Sequence, residues 1–235
     1  MQNLFGFDTN PKTVKGQEQG FLTAILYLAP ARISGFEVCP TASPGCRDAC
    51  LYRAGRGGMT STQNARIKKT LSYFHDRETF MTKLCHEARL FQRRASKRDM
   101  IPCARPNGTS DIPFERVPVT YEGVTYPNIM TACPEMQWYD YTKRANRRDL
   151  PENYHLTFSL SENNEYDAGR FLANGGNVAV VYRHETLPDY DTIGGIRRRV
   201  INGFETDLRF LDDKGVIVGL CAKGGARYDT TGFVR

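Results

Sequence analysis

The sequence predicts an α/β fold: a partial or complete (β/α) barrel with mainly parallel strands and an N-terminal cysteine loop. Two patterns predict it. Short apolar runs alternate with helical stretches, the order that builds βα units on a parallel sheet, and three cysteines stand on a Pro/Gly-rich loop soon after the first of those runs. The 235 residues, 40% hydrophobic and 25% charged, are ordinary for a soluble protein that buries a core. With no internal repeat or low-complexity linker, 1–235 reads as a single domain: strand and cysteine loop over 21–58, a basic helical segment over 60–98, then βα units and a C-terminal hairpin over 100–222.

The elements follow in order. Phe21 to Ala29 is continuously apolar and ends at Pro30, as a buried strand does. After the cysteines, Ala54 to Gly58 is a flexible turn. Thr60 or Ser61 can cap one long helix to about Lys97, in which Ile67, Leu71, Phe74, Phe80, Leu84, Ala88 and Phe91 recur at helical spacing. Beyond it come a short apolar run from Met100 to Ala104 and a short helix over Pro127 to Ala132. Strands follow over Gln137 to Thr142, His155 to Leu160 and Asn177 to Tyr182, with a helix over Glu165 to Leu172. Leu208 to Leu211 and Val216 to Leu220 flank Asp212-Asp213-Lys214-Gly215, a hairpin signal.

The formal net charge is +6, with the excess concentrated between Arg66 and Arg98 and smaller clusters at Lys143 to Arg148 and Arg197 to Arg199. Such runs are solvated faces or attract phosphates, so a nucleotide or nucleic acid is the expected partner. No stretch approaches the roughly 18 apolar residues of a membrane span, so no membrane partner is expected. The first residues lack signal-peptide character, which places the chain in a reducing cytoplasm.

Cys39, Cys46 and Cys50, three of the seven cysteines, share one loop with Pro40, Pro44 and Gly45. Thiolates favour zinc, copper(I) or an iron–sulfur cluster, and three on one loop leave a fourth position for another ligand or a substrate. The residue types do not choose the metal. Zinc would need a fourth ligand such as Cys85, His75 or His86, and the domain would then be a nucleic-acid-binding module.

In a largely parallel sheet the chemistry gathers at the carboxyl ends of the strands, which directs attention to Asn107, Ser110, Asp111, Lys143, Arg144, Ser159 and Glu162. These ends also carry a resemblance. Cys39 to Tyr52, CPTASPGCRDACLY, resembles the signature of phage-encoded three-cysteine-motif proteins. In the same order, Ser110-Asp111-Ile112-Pro113, Tyr141-Thr142-Lys143-Arg144 and Pro151 to Asn163 resemble that group's later motifs. The group is similar to the radical S-adenosylmethionine enzymes and their partial (β/α) barrel. The resemblance implies a [4Fe-4S] cluster on Cys39, Cys46 and Cys50 and S-adenosylmethionine as a cofactor cleaved to a 5′-deoxyadenosyl radical. It further implies that Tyr52, Asn107, Ser110, Asp111, Ser159 and Glu162 line the cofactor cavity, and that Lys143 and Arg144 neutralise an anionic substrate. Two departures stand out: six and three residues separate the cysteines where the radical enzymes have three and two, and no Gly-Gly-Glu stretch is present, Asn107 to Asp111 being its nearest substitute. No residue is assigned a catalytic role. Tyr139 and Tyr141, potential nucleophiles of a nicking enzyme, alternate along a strand and read as structural.

Overall fold

The computed structural model describes residues 3–7 and 11–235. The apolar run after Gly20 forms β2 (Phe21–Leu26), and β1 (Phe5–Phe7) pairs with it antiparallel. From β2 the sheet grows one parallel neighbour at a time through β3 (Ile101–Arg105), β6 (Gln137–Thr142), β7 (Tyr154–Ser159), β8 (Val178–Tyr182) and β11 (Ile217–Cys221). β10 (Ile196–Asn202) then adds in parallel and β9 (Tyr190–Ile193) antiparallel, giving nine strands. β4 (Val119–Tyr121) and β5 (Val124–Tyr126) form a separate two-stranded ribbon. β1 and β9 are the two edges of the large sheet and do not pair, so among the described residues no closed barrel forms.

Alternation along each strand separates the two faces. Leu22, Ala24 and Leu26, with Ala104, Trp138, Tyr154 and Leu156, pack in one cluster with Phe80, Leu84, Ala88 and Phe91 of the helical segment. Phe158, Val178, Val180 and Ile217 continue that face against Ala168 and Leu172 of α6 (Glu165–Ala173). Arg105, Tyr139 and Tyr141 alternate with these positions on the opposite face, which residues 204–212 cover. Phe210 sets its ring edge against both Phe21 and Tyr139, 5.3 Å away in each case, while Asp207 pairs with Arg105 and accepts from Tyr141 Oη at 3.3 Å. Burial pushes both tyrosines well above the usual phenol range, which suits their reading as structural.

Two expectations need correction. The long helix is two, α3 (Thr60–His75) and α4 (Arg77–Ser96), because Asp76 leaves helical geometry at φ −146° and its carboxylate caps α4 through Thr79 N at 3.1 Å. Met59, not Thr60 or Ser61, is the α3 N-cap and offers it no side-chain bond. The predicted C-terminal hairpin is also absent: Arg209–Leu211 is a 3-10 turn, and β11 pairs parallel with β8 and β10. The hairpin lies earlier, where Gly194 and Gly195, at φ +54° and +80°, turn β9 into β10 and place Arg197 to Arg199 on a strand. Three helices complete the fold: α1 (Pro11–Gln17), α2 (Pro44–Asp48) and α5 (Ile129–Ala132), the last capped by Asn128 through Thr131 N at 2.8 Å. No helix among the described residues is long and apolar enough to cross a membrane.

Asp140 on β6 is wholly buried and accepts from Asn107 N, Asn107 Nδ2 and Tyr154 Oη at 3.0, 2.9 and 2.9 Å. Burial nevertheless pushes its carboxyl up to about 6, with Arg105 and Arg147 pulling the other way. A carboxyl raised in the folded state contributes stability that is full below its unfolded pKa and lost as pH climbs through the folded value. Measured against Asp140→Asn, wild-type stability is therefore expected to fall by about 3 kcal/mol between about pH 4 and pH 7 and to stay level above that. Urea midpoints across this range check it; a constant difference contradicts it.

Candidate metal and ligand site

The cysteine loop is fixed by a few strong contacts. Val38 O accepts from Asp111 N at 2.8 Å, tying the loop to the segment after β3, and Cys39 N donates to Glu37 Oε1 at 2.8 Å. Ser43 is extended at φ −69° and accepts from Cys46 N at 3.2 Å, and Pro44 opens the short α2, so Cys46 rides on one helical turn. Glu162, just beyond β7, clamps that turn: its carboxylate accepts from Ser43 Oγ at 2.6 Å and from Gly45 N at 2.8 Å. Cys50 follows in extended geometry, then 3-10 turns over Leu51–Arg53 and Gly55–Gly58 where the sequence suggests only a flexible turn. Gly57 is required there, since a Cβ would lie 2.6 Å from Leu51 O.

All three cysteines are free and half-buried. Burial pushes the Cys39 thiol up to about 12; the backbone at Ala31 opposes this, and Cys50, Cys46 and Asp111 add to it. Burial raises Cys50 too, and Cys46 adds to that, while the backbone at Tyr52, Arg66 and Lys143 pull it down. Each of these thiolates would thus feel the charge of its neighbours, with the cations Arg66 and Lys143 favouring ionisation of Cys50.

The other predicted residues fall into two groups. Tyr52, buried, lies beside Cys50 and under the Arg66 guanidinium, 5.6 Å from its ring centroid. Lys143 donates from Nζ to Ser159 Oγ at 2.8 Å and sits 5.5 Å from the Phe233 ring centroid. These face the thiols. Asn107 spends its amide within its own neighbourhood, donating to Ile112 O and Asp140 and accepting from Ser110 Oγ and Ile112 N. Asp111 accepts from Thr142 Oγ1, Lys143 N and Arg147 Nη1 at 2.8, 2.9 and 3.2 Å, which makes it the post that positions Lys143. Arg144 lines a cavity of about 170 Å³ with Glu37, Arg77 and Asp111.

Two features lay outside the sequence reading of the site. Arg66 points into it rather than into solvent, stacked on Tyr27 at 4.7 Å. The C-terminal segment covers the cysteine loop: a Cβ on Gly45 would overlap Thr231 Oγ1 and lie 2.8 Å from Phe233 Cβ, and one on Gly224 would lie 3.1 Å from Ala54 Cβ. The helical position of Arg66 among other basic residues carried no burial signal. The Gly224-Gly225 pair serves this packing.

A family model described as Gene product 88 matches residues 3–235. The chain belongs to the gene product 88 family. No curated protein and no solved structure matches it. The resemblance of this gene product 88 chain to three-cysteine-motif proteins and radical S-adenosylmethionine enzymes therefore rests on its motifs.

Among the described residues of the gene product 88 chain, no group of three or more His, Cys, Asp or Glu side chains stands in a metal-holding arrangement. The fourth zinc ligands expected from sequence lie elsewhere in contacts of their own. Cys85 Sγ is 3.9 Å from Cys133 Sγ in the core, His86 Nδ1 is 3.0 Å from Tyr121 Oη, and His75 meets the Phe36 ring edge-on at 5.4 Å. Much of the basic run is also structural. Lys69 donates to Leu4 O at 2.6 Å, and burial pulls its ammonium down to about 8. Arg89 donates to Ala132 O at 3.2 Å and lies over Tyr121, while Arg94 lies over Phe7. Arg47, Arg53 and Arg56 on the cysteine loop itself, and Lys68, Arg93, Lys97 and Arg98 on the helical segment, are exposed.

Proposed function

We propose that this chain is a three-thiolate metal protein whose centre, on Cys39, Cys46 and Cys50, is an iron–sulfur cluster of the [4Fe-4S] type in an open-barrel scaffold. One observation carries the reading: three free thiols share a half-buried loop fixed by Glu162 and Asp111 at the carboxyl ends of parallel strands. The donor set fits. Three soft thiolates suit an iron–sulfur cluster and leave one position open, and Arg66 and Lys143 offset the charge that three thiolates would bring. The scaffold reading draws on six parallel strands that neighbour one another in chain order, the sequence of strands that an open barrel uses. When bound, such a cluster supplies one-electron chemistry, and S-adenosylmethionine is the cofactor that the motif resemblance proposes for the open position. This chain's residues would hold and shield it: Glu162 and Gly45 keep Cys46 in place, Asp111 presents Lys143, and Phe233 excludes water.

A nucleotide or nucleic acid is the proposed substrate class, supported by Arg47, Arg53 and Arg56 exposed around the loop. Binding of a phosphate polymer that is flat in salt would count against that part.

Iron and sulfide analysis with an ultraviolet–visible spectrum on protein purified without oxygen tests the centre. The expected result is about four irons and four sulfides per chain, absent from a variant with all three cysteines changed to serine. One zinc per chain and no visible absorbance would overturn the cluster and leave a zinc-binding, nucleic-acid-binding module in its place.

A further inference from the structure

Arg66 is 8% exposed, yet its Nε and Nη1 reach no hydrogen-bond partner. Leaving guanidinium N–H groups buried and unpaired is costly. Arg66 lies on the inward stripe of α3 with Thr70 and Tyr73, opposite the exposed Lys68. The guanidinium lies over two rings, Tyr27 at 4.7 Å and Tyr52 at 5.6 Å, which offer no acceptor to Nε and Nη1. Burial lowers its pKa, with Tyr27, Cys50 and Tyr52 opposing, which places it against the same thiol that Lys143 reaches from the other strand ends. Glu162 is bound to the cysteine loop and Asp111 to Thr142, Lys143 and Arg147, so neither carboxylate near the thiols is committed to Arg66.

We infer that Arg66, held between Tyr27 and Tyr52 beside Cys50, is the anchor of an oxyanion-binding site that takes the carboxylate or phosphate group of a small ligand. Each unpaired N–H can donate a charge-assisted bond to an oxygen of either group, and partial desolvation strengthens each bond formed. Lys143, whose Nζ donates to the neutral Ser159 hydroxyl, adds a second positive charge toward Cys50. The site needs no metal, since both cations come from elements outside the cysteine loop.

The test uses metal-free full-length chain with inorganic phosphate and, separately, acetate as probes, each titrated against sodium chloride at matched ionic strength while the thermal midpoint is followed. Wild type is expected to show a saturable rise with at least one of the two, and which one tells phosphate from carboxylate. In Arg66→Lys, which keeps the charge and loses the planar donors between the two rings, the apparent dissociation constant is expected to rise about tenfold. Equal titrations in wild type and Arg66→Lys, or no response in wild type to either anion, overturn the site. Should Arg66→Lys fail to fold, the unmodified chain still decides. Iodoacetate, which carries a carboxylate, is expected to label Cys50 faster than neutral iodoacetamide does when each rate is divided by that at Cys221, and an unchanged ratio refutes the proposal. The same titration on the triple-serine variant separates the two readings: saturable anion binding there stands even if no metal is found in wild type.

Discussion

Arg147→Met is expected to destabilise the fold by about 3–5 kcal/mol, because it leaves two buried carboxylates without their cation. Arg147 is itself buried and donates from Nε and Nη2 to Glu115 at 2.9 and 2.6 Å, from Nη1 to Asp111 at 3.2 Å, and from Nη2 to Tyr154 Oη at 2.7 Å. Glu115 and Asp111 are both buried as well, so neither turns to water when the guanidinium is lost. Chemical denaturation measures the effect, and a loss below about 1 kcal/mol would show that water enters and solvates the pair. Adding Glu115→Leu to the variant is expected to recover part of the loss, since one of the orphaned charges then disappears. The consequence reaches the site: Asp111 holds the Lys143 backbone, so a shift of Asp111 moves the cation beside Cys50.

Gly45→Ala is expected to cost about 1–3 kcal/mol and, for the centre proposed above, to lower metal retention about tenfold or more. The added methyl would overlap Thr231 Oγ1 and press on Phe233 Cβ and Glu162 Oε1, the last at 3.0 Å. Two of these neighbours belong to the segment that covers the loop, and the third is the carboxylate that clamps it through Gly45 N. Relief therefore requires either the C-terminal segment to lift or Glu162 to release Cys46. Metal per chain after anaerobic purification, alongside the thermal midpoint, distinguishes the two: loss of metal with little loss of stability marks release of the loop, and full retention of both contradicts the packing described.

Much of this architecture is legible in local sequence. Gln137–Thr142 is a strand by its alternation, β2 and β8 by continuous apolar runs, and α6 by its apolar face, because pleat and helix periods are properties of neighbouring residues. The loop around Cys39, Cys46 and Cys50 is equally local, since Pro40 and Pro44 restrict the backbone wherever they stand. The division of the long helix was readable in principle, as Asp76 stands three residues before the Thr79 amide that it caps.

The rest was decided by the tertiary structure. No window of sequence says that β11 inserts between β8 and β10, so Asp212 to Gly215 reads as a hairpin turn although the chain beyond it runs parallel to both neighbours. Nor does any window say that Arg66 is buried while Lys68 is exposed, that Asn107 spends its amide on Asp140, or that Thr231 and Phe233 close over Gly45. The sequence determined the elements and the thiol loop, because torsional preference and apolar period act over a few residues. The partners of the charges, and hence which cations are left to face the thiols, came from contacts between segments 30 to more than 100 residues apart, whose pairing depends on the shape of the whole sheet.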